Sequence, residues 1–404
     1  MLKSVIFDMD GVLVDSEPLH AKAGYLAMKN LGVTIPEQYC YDFIGNTTKY
    51  MAEQMIKDFH LSLSVEQILA ANTAAKESLI QTEGYPPIPY VKEFIMDLYE
   101  HGVTLAVASS SPMDAIKRNL DTLGLKPYFS HLISGMDIPH SKPAPDIFLL
   151  ALQKLGVNAN ECLVVEDSDN GVNAAYAAKI PCIGFLNKNS GKQSLNKAQI
   201  LVEGFDEIRY DFASDVLKRY NGEPLTMADT SRLIIRELSL EDIPALHAIY
   251  EEKGMRKFTN DLHPDLKTAL EKHKAYIKNI YSFFGYGYWG VFLKDSNKLI
   301  GHCGLQNNEI NGQMELELGY LISTPYQHHG YAQEACESIL EFAFDYLEVP
   351  SVIALIDQEN IPSQNLAKKL GMKEERSIVS RDRACQLYRI YKNEFNINIS
   401  MHIH

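Results

Sequence analysis

The sequence predicts two folded domains in one chain: a parallel α/β sheet carrying a helical insertion, followed by an α+β domain. Three observations lead there. The length of 404 residues exceeds the ~100 to 200 residues usual for one domain. Short β-branched runs alternate with helical patterns through the first half, as in parallel sheets. The apolar periodicity then breaks around Lys218 to Asp229, where Asn221, Gly222, Glu223 and Pro224 interrupt it, and restarts at Arg232-Leu-Ile-Ile-Arg236.

In chain order, Ser4 to Phe7, Val103 to Ala108, Leu132 to Ile133, Cys162 to Val165 and Pro181 to Gly184 read as buried strands followed by polar turns. Between the first two lies Glu17 to Gly84, with amphipathic stretches such as Tyr50 to Phe59 and Val65 to Ile80 and no strand pattern, hence a helical insertion over about 16–87. The second half reads as a strand, helices, and a meander of Gly287 to Leu293, Leu299 to Leu305 and Met314 to Ile322. A helix from Gly330 to Leu347 and a strand at Val352 to Leu355 follow. The expected divisions are a first domain over 1–215, a linker over 216–231, a second domain over 232–395 and a tail over 396–404, whose His402 and His404 read as a frayed terminus rather than a metal site.

A hydrophobic fraction of 46% with 22% charged residues is ordinary for a globular protein, so each half can bury a core. The formal charge of −14, from 38 Lys and Arg against 52 Asp and Glu, sets the overall field against nucleic acid and anionic membranes. No apolar run approaches the ~18 to 20 residues of a membrane span. The start, Met1 to Asp8, carries only Lys3 before a short apolar stretch ending in acid and is expected to be neither a signal peptide nor an anchor. Six scattered cysteines without a CxxC pair suggest neither a zinc ribbon nor a disulfide framework, and a reducing cytoplasm is the expected compartment.

The strand Ser4-Val-Ile-Phe7 runs into Asp8-Met9-Asp10-Gly11. Ligands of parallel sheets bind where strands end, so both carboxylates reach the active edge. Paired aspartates also cap turns, but three later strand ends supply complementary groups. Val107-Ala108-Ser109 places a hydroxyl, followed by Ser110, Ser111 and Pro112 at a helix start whose amides can hold a phosphoryl group. Ser141-Lys142-Pro143 fixes an ammonium, and Val165-Glu166-Asp167-Ser168 adds two carboxylates. Oxygen-rich ligation without cysteine favours a hard cation such as Mg²⁺.

Together these segments resemble the haloacid dehalogenase (HAD) superfamily of phosphohydrolases over roughly residues 1–215, which implies a Rossmann-like sheet with an inserted helical cap. The resemblance implies Asp8 as nucleophile and Asp10 as general acid and then base. It implies Ser109 as a holder of phosphoryl oxygens and Lys142 as the neutralising cation. Asp8, Asp167 and Asp10 (through its backbone carbonyl) would hold Mg²⁺, with Glu166 a further ligand or behind the ligands. A dehalogenase needs no acid for a halide leaving group, so Asp10 favours a small, sugar-phosphate-like ester as substrate. The cap hinges are expected near Asp15 to Pro18 and Tyr85 to Tyr90. His20 and Lys76 are expected on the cap side of the substrate, with Ser110 on the core side. A β-phosphoglucomutase-like phosphotransferase is the alternative. Thr48, with only Lys49 beside it, after Gly45-Asn46-Thr47, and Pro112 after the serines give weak basic provision for a second phosphate, which favours a phosphatase.

In the second half, Glu315-Leu-Glu317-Leu-Gly319-Tyr-Leu321-Ile322 alternates as a strand and ends at Ser323-Thr-Pro325. Gln327-His328-His329-Gly330-Tyr331-Ala332 then forms a small-residue turn into a helix, whose free amides make a pyrophosphate cradle. Asn360-Ile-Pro-Ser363 opens a further amphipathic helix. The combination resembles the GNAT N-acetyltransferase superfamily over roughly Ser231 to Phe395, which implies an α+β GNAT-fold domain using acetyl-CoA. Pantetheine would add along the strand near Leu321 and Ile322, the pyrophosphate would sit on the turn from Gln327 to Ala332, and Asn360 would contact the cofactor arm. Glu317 is the expected base toward an amine or a peptide N-terminus, and Ser363 or Tyr388 could protonate the leaving thiolate. A core tyrosine and a solvent-facing glutamate are the competing readings. The second half could also be a CoA-binding sensor without catalysis.

Overall fold

The computed structural model describes residues 1–43, 47–191, 193–259, 261–380 and 383–395. The expected tail 396–404 and the pair Gly45-Asn46 lie outside the described residues. The chain divides into two compact units, Met1–Asn221 and Gly222–His404.

The first unit is built on six parallel strands: β1 (Ser4–Phe7), β2 (Thr104–Ser109), β3 (Phe129–Ser134), β4 (Cys162–Glu166), β5 (Cys182–Phe185) and β6 (Ile200–Val202). Their order is β3-β2-β1-β4-β5-β6, so β1 and β4 are central neighbours, and both are buried at every position. A strand covered on both faces has no solvent side to leave polar, which is why these runs read as continuous apolar stretches. The order also reverses at β1, with β2 on one side and β4 on the other, and such a switch point opens a crevice beyond the carboxyl ends.

Among the described residues the insertion holds four helices: α1 (Ser16–Asn30), α2 (Glu37–Tyr41), α3 (Thr48–Asp58) and α4 (Val65–Thr82). Apolar clusters of their own hold them, Met28, Cys40, Met51 and Met55 in one and Leu19, Ala23, Ala75 and Leu79 in the other. A reciprocal capping box between Ser64 and Gln67 starts α4. The chain leaves and re-enters the sheet at one place, where Asp15 N donates to Pro86 O at 2.8 Å and Val14 bridges Pro87. Helices α5 (Val91–Glu100), α6 (Met113–Leu123), α7 (Asp146–Leu155), α8 (Asp169–Ala177) and α9 (Tyr210–Tyr220) complete the unit.

The second unit has eight strands: β7 (Thr226–Asp229), β8 (Leu233–Arg236), β9 (Tyr288–Leu293), β10 (Leu299–Ile310), β11 (Gln313–Ile322), β12 (Ser351–Asp357), β13 (Lys373–Ser380) and β14 (Arg383–Tyr391). Their order is β13-β14-β12-β11-β10-β9-β8-β7, antiparallel except where β11 meets β12. That parallel pair shares a single register point, Glu317 with Ile353. Helices α10 (Ile243–Tyr250), α11 (Leu266–Tyr276), α12 (Ser282–Phe284), α13 (Tyr331–Glu341) and α14 (Ile361–Lys369) accompany the sheet. Cys303, Leu305, Leu318 and Ile322 share a core with Ala335, Cys336 and Ile339 of α13, whereas Leu299 and Leu321 pack with Leu246 and Tyr250 of α10. The strand alternation thus feeds two layers, one on each face of the sheet.

Several expectations change. Residues 216–231, expected as a linker, are divided between α9 and β7, because Val216 and Leu217 pack on the first core while Ala228 joins the second. The helix expected to run from Gly330 to Leu347 is α-helical only to Glu341 and continues as a π-helical turn over Phe342–Tyr346. β6, only three residues long, and β13, mostly charged and exposed at the sheet edge, do not stand out in the sequence. No helix among the described residues is long and apolar enough to cross a membrane.

Candidate functional sites in the two units

At the carboxyl end of β1, Asp8 is buried and its amide donates to Val165 O at 3.0 Å. Phe7 pairs with Val107 on one side and Val165 on the other, so Asp8 stands level with Ala108 and Glu166. Lys142 reaches into this crevice and donates to Asp8 Oδ1 at 2.5 Å, Glu166 Oε1 at 2.7 Å and Ala108 O at 3.1 Å. Glu166 is fully buried and its other oxygen accepts from the amide and hydroxyl of Ser168, both at 2.9 Å. Ser168 also caps α8 by accepting from Gly171 N. A Cβ on Gly171 would stand 1.6 Å from Glu166 Oε1, so only glycine lets the carboxylate lie there.

Asp10 sits one turn further out. Ser111 Oγ donates to its Oδ2 at 2.7 Å, and Ser109 Oγ lies 3.4 Å from the same oxygen. Gly11, in the left-handed region at φ +83°, lets the chain turn there, and a Cβ at that place would meet Asp167 Oδ2 at 2.1 Å. Asp167 accepts from Ser190 Oγ at 2.5 Å.

Asp8, Glu166 and Asp167 offer one oxygen each within 4.8 Å of one another. Burial pushes Asp8 well above the usual carboxylate range, with Lys142 opposing and Glu166, Asp10 and Asp167 reinforcing the rise. Asp167 is pushed up to about 7, by burial first and then by Glu166. Burial alone would lower Lys142, but Asp8 and Glu166 hold it above the ordinary lysine value. One ammonium is thus set against three buried carboxylates and bonded to two of them, Asp8 and Glu166. A hard divalent cation on oxygen ligands fits that donor set and its charge excess.

In the second unit, β11 ends at Ile322, and Gln327 Nε2 donates back to Ile322 O at 2.9 Å. His328 at φ +63° and Gly330 at φ +84° turn the chain through the left-handed region into α13. The amides of His328, His329, Gly330, Tyr331 and Ala332 meet no hydrogen-bond acceptor among the described residues. Such a run of free donors at a helix start attracts anions. Arg232 braces this turn: its guanidinium pairs with Glu334 at 2.7 Å, donates to His329 O at 3.0 Å and lies over the Tyr331 ring at 4.5 Å. Leu321 and Ile322 are buried, and β11 and β12 pair only at Glu317, earlier in β11. Across the gap, Asn360 caps α14 by accepting from Ser363 N at 3.3 Å, and Tyr320 Oη donates to Ser363 Oγ at 2.9 Å. Glu317 is buried, its Oε2 accepting from Gln306 Nε2 at 2.9 Å and Asn308 Nδ2 at 2.8 Å.

Residues 5–185 match the family described as haloacid dehalogenase-like hydrolase. An uncharacterized protein of Haemophilus influenzae is 34% identical over 179 residues, 44% of this chain and 87% of its own length. The chain belongs to the haloacid dehalogenase-like hydrolases. Fructose-1-phosphate phosphatase YqaB of Escherichia coli is 31% identical over 44% of this chain and 94% of its own length. Hexitol phosphatase B of the same species is 32% identical over 45% and 82%. Residues 232–373 match the acetyltransferase (GNAT) domain. Both matches are to enzymes, so this hydrolase carries a second enzyme domain behind the first.

Of the residues expected in the hydrolase half, Asp8, Asp10, Ser109, Lys142, Glu166 and Asp167 converge on the crevice. The carboxylate of Asp10 lies with Ser111 rather than with the Asp8, Glu166 and Asp167 oxygens. Ser110 is exposed at the rim. His20, on α1, keeps its Nε2 buried and without a hydrogen-bond partner among the described residues, and Lys76 is half-buried on α4. Of those expected in the second half, Gln327 to Ala332 gather at the α13 start, and Asn360 with Ser363 at the α14 start. Tyr388 is buried and its hydroxyl donates to Glu374 Oε2 at 3.3 Å. Sequence reasoning missed Ser190, Gln306, Asn308, Arg232 and Gln193, whose Nε2 donates to Asp167 O at 2.5 Å. Gln306 and Asn308 did carry a signal, a run of three amides, Gln306-Asn307-Asn308, after the mostly apolar first part of the strand. Ser190 and Gln193 lie in an irregular polar loop that has none.

Proposed function

We propose that the protein is a bifunctional enzyme, a Mg²⁺-dependent phosphatase of small, sugar-phosphate-like esters in its first unit and an acetyl-CoA-dependent N-acetyltransferase in its second. The observation that carries the first half is Asp8 at the exit of β1, bonded to Lys142 and flanked by Glu166 and Asp167. In this reading a carboxylate oxygen of Asp8 attacks phosphorus as the bond to the leaving alcohol breaks, and Asp10 gives that alcohol its proton. Water then attacks the aspartyl-phosphate, Asp10 takes the water's proton, and Asp8 is regenerated as phosphate leaves. Lys142 offsets charge on Asp8 and on the transferring group, and Ser109 with the amide of Ser110 holds phosphoryl oxygens. Asp8, Asp167 and the carbonyl of Asp10 would hold Mg²⁺, with Glu166 fixing Lys142; the cation supplies charge neutralisation that lets Asp8 attack as an anion. The fructose-1-phosphate and hexitol phosphatase relatives support the substrate class.

The free amides from His328 to Ala332 support the cofactor reading of the second unit. The cofactor's diphosphate would lie on them, with Leu321 and Ile322 beside the pantetheine arm and Asn360 and Ser363 across it. In this reading the held carboxylate of Glu317 takes a proton from the acceptor ammonium, the freed amine bonds to the acetyl carbon as the carbon–sulfur bond breaks, and Ser363 or Tyr388 gives the leaving thiolate its proton. Asp8→Asn is expected to abolish phosphate release while acetyl-CoA binding, followed by calorimetry, stays intact; an active Asp8→Asn enzyme refutes the phosphatase mechanism. Absence of transfer to a broad panel of amines and N-terminal peptides, with acetyl-CoA still bound, would make the second unit a sensor.

A further inference from the structure

The loop that leaves β5 supplies none of the six residues that converge on the crevice, yet it bonds to three places around it. Glu166 of β4 pairs with Gly184 of β5, so Asp167 stands level with Phe185 and the chain beyond Phe185 passes beside it. Two internal bonds shape the loop: Asn189 N donates to Asn187 Oδ1 at 2.8 Å, and Ser190 N to Asn187 O at 3.0 Å. Asn187 is buried and donates through Nδ2 to Gly11 O at 2.9 Å, on the turn that follows Asp10. Ser190 Oγ donates to Asp167 Oδ2 at 2.5 Å, and Gln193 Nε2 bridges Asp167 O at 2.5 Å and Phe185 O at 3.1 Å. Asn189 reaches the other way, donating through Nδ2 to Asp15 Oδ2 at 2.6 Å.

Asp15 is where the cap begins. It immediately precedes α1, its amide is bonded to Pro86 O, and its Oδ1 is buried without a hydrogen-bond partner among the described residues. A carboxylate with one oxygen unsatisfied depends on the bond that its other oxygen makes, here the one from Asn189. Asn189 and Ser190 are adjacent in the chain. The carboxylate at the cap hinge and a carboxylate of the acidic cluster are therefore gripped by neighbouring side chains of one short loop, whose base is pinned to Gly11 through Asn187. A displacement of Asp15 must either break its bond to Asn189 or pull on the loop that orients Asp167.

We propose that Asn189 and Ser190 are positioning residues that couple the cation site to the cap hinge. The proposal rests on the phosphatase reading, in which Asp167 is a ligand of Mg²⁺. Ser190 orients Asp167 as a ligand. With Asp167 fixed from both sides the loop has a rigid anchor, and Asn189 passes that constraint to Asp15, so the hinge stiffens when the cation site is filled. Coupling of this kind is reciprocal: the factor by which Mg²⁺ stabilises the hinge is the factor by which the Asn189 bond strengthens Mg²⁺ binding.

The test is made on the full-length protein, with Mg²⁺ affinity measured by calorimetry and amide hydrogen exchange followed over Asp15 to Leu19 with and without Mg²⁺. In the parent, Mg²⁺ should slow exchange there by about tenfold. Asn189→Ala should abolish the slowing and weaken Mg²⁺ binding by a comparable factor, although the residue is bonded to Asp15 and not to the acidic cluster. Asp15→Ala cuts the same bond from the other side, and the double variant should lose no more than either single one. Asp15→Asn keeps an acceptor oxygen and should retain most of the coupling. Ser190→Ala should weaken Mg²⁺ binding by about tenfold or more and remove the slowing as well. Parent-like Mg²⁺ affinity in Asn189→Ala, or slowing that survives it, overturns the coupling. A parent that binds Mg²⁺ and releases phosphate with no slowing at the hinge overturns the coupling alone and leaves the phosphatase reading standing. A parent that binds no Mg²⁺ sinks the cation reading and the coupling with it.

Discussion

At the scale of single residues, both crevices are governed by how a carboxylate is held. Glu166 is clasped by Lys142 and Ser168 and leaves no room beside Gly171. Gly171→Ala must displace it, and overpacking of this kind costs about 1–3 kcal/mol. The expected outcome is a lower melting temperature together with a fall in phosphate release, measured on the same preparation. Glu317 accepts from two neutral amides, Gln306 and Asn308. Glu317→Gln should leave acetyl-CoA affinity nearly unchanged and lower transfer by ~10² to 10⁴-fold at neutral pH. The loss should shrink at alkaline pH, where the acceptor amine deprotonates unaided. A uniform loss across pH would assign Glu317 to positioning rather than to proton transfer.

At the scale of elements, the start of α13 is the most sensitive place in the second unit. Gly330→Glu adds a carboxylate among the free amides and a side chain at a left-handed residue 3.3 Å from Arg232 Nη2, so acetyl-CoA binding should disappear in calorimetry. Packing of α10 on β10 carries a pH dependence. His302 is buried, within 3.1 Å of Tyr250 Oη, and burial lowers its pKa to about 4. An unfolded histidine takes up a proton near its ordinary value of 6.5. The unfolded chain therefore binds more protons between those values, and stability falls as pH drops through that window. His302→Gln should flatten the loss of melting temperature between pH 7 and pH 5; a slope equal to that of the parent would place the effect on other groups.

At the scale of the whole molecule, the division falls between Asn221 and Gly222, and β7 lies on the second side of it. β7 pairs with β8 through Ala228 and Ile235, and Asp229 holds Lys294 at 2.5 Å. Residues 222–404 should therefore fold with a higher melting temperature than residues 230–404, which would expose β8 as an unpaired edge. If the two activities are independent, 1–221 and 222–404 made separately should each keep their own within about tenfold, roughly 1.4 kcal/mol.

The sequence by itself determined the central strands, the inserted helices, the glycine turn into α13 and the acidic residues at the ends of β1 and β4. Each of these is a local event, a strand that ends in a charged or small residue, and a central strand such as Ser4 to Phe7 announces itself because it must be apolar throughout. What only the tertiary structure decided is which side chains from distant segments meet. Lys142 clasps Glu166 as well as Asp8, and Gln306 and Asn308 hold Glu317 across a strand register. It also decided that residues 216–231 are divided between helix and strand, because burial against two different cores, not the polar Asn221-Gly222-Glu223 break, fixes where an element ends.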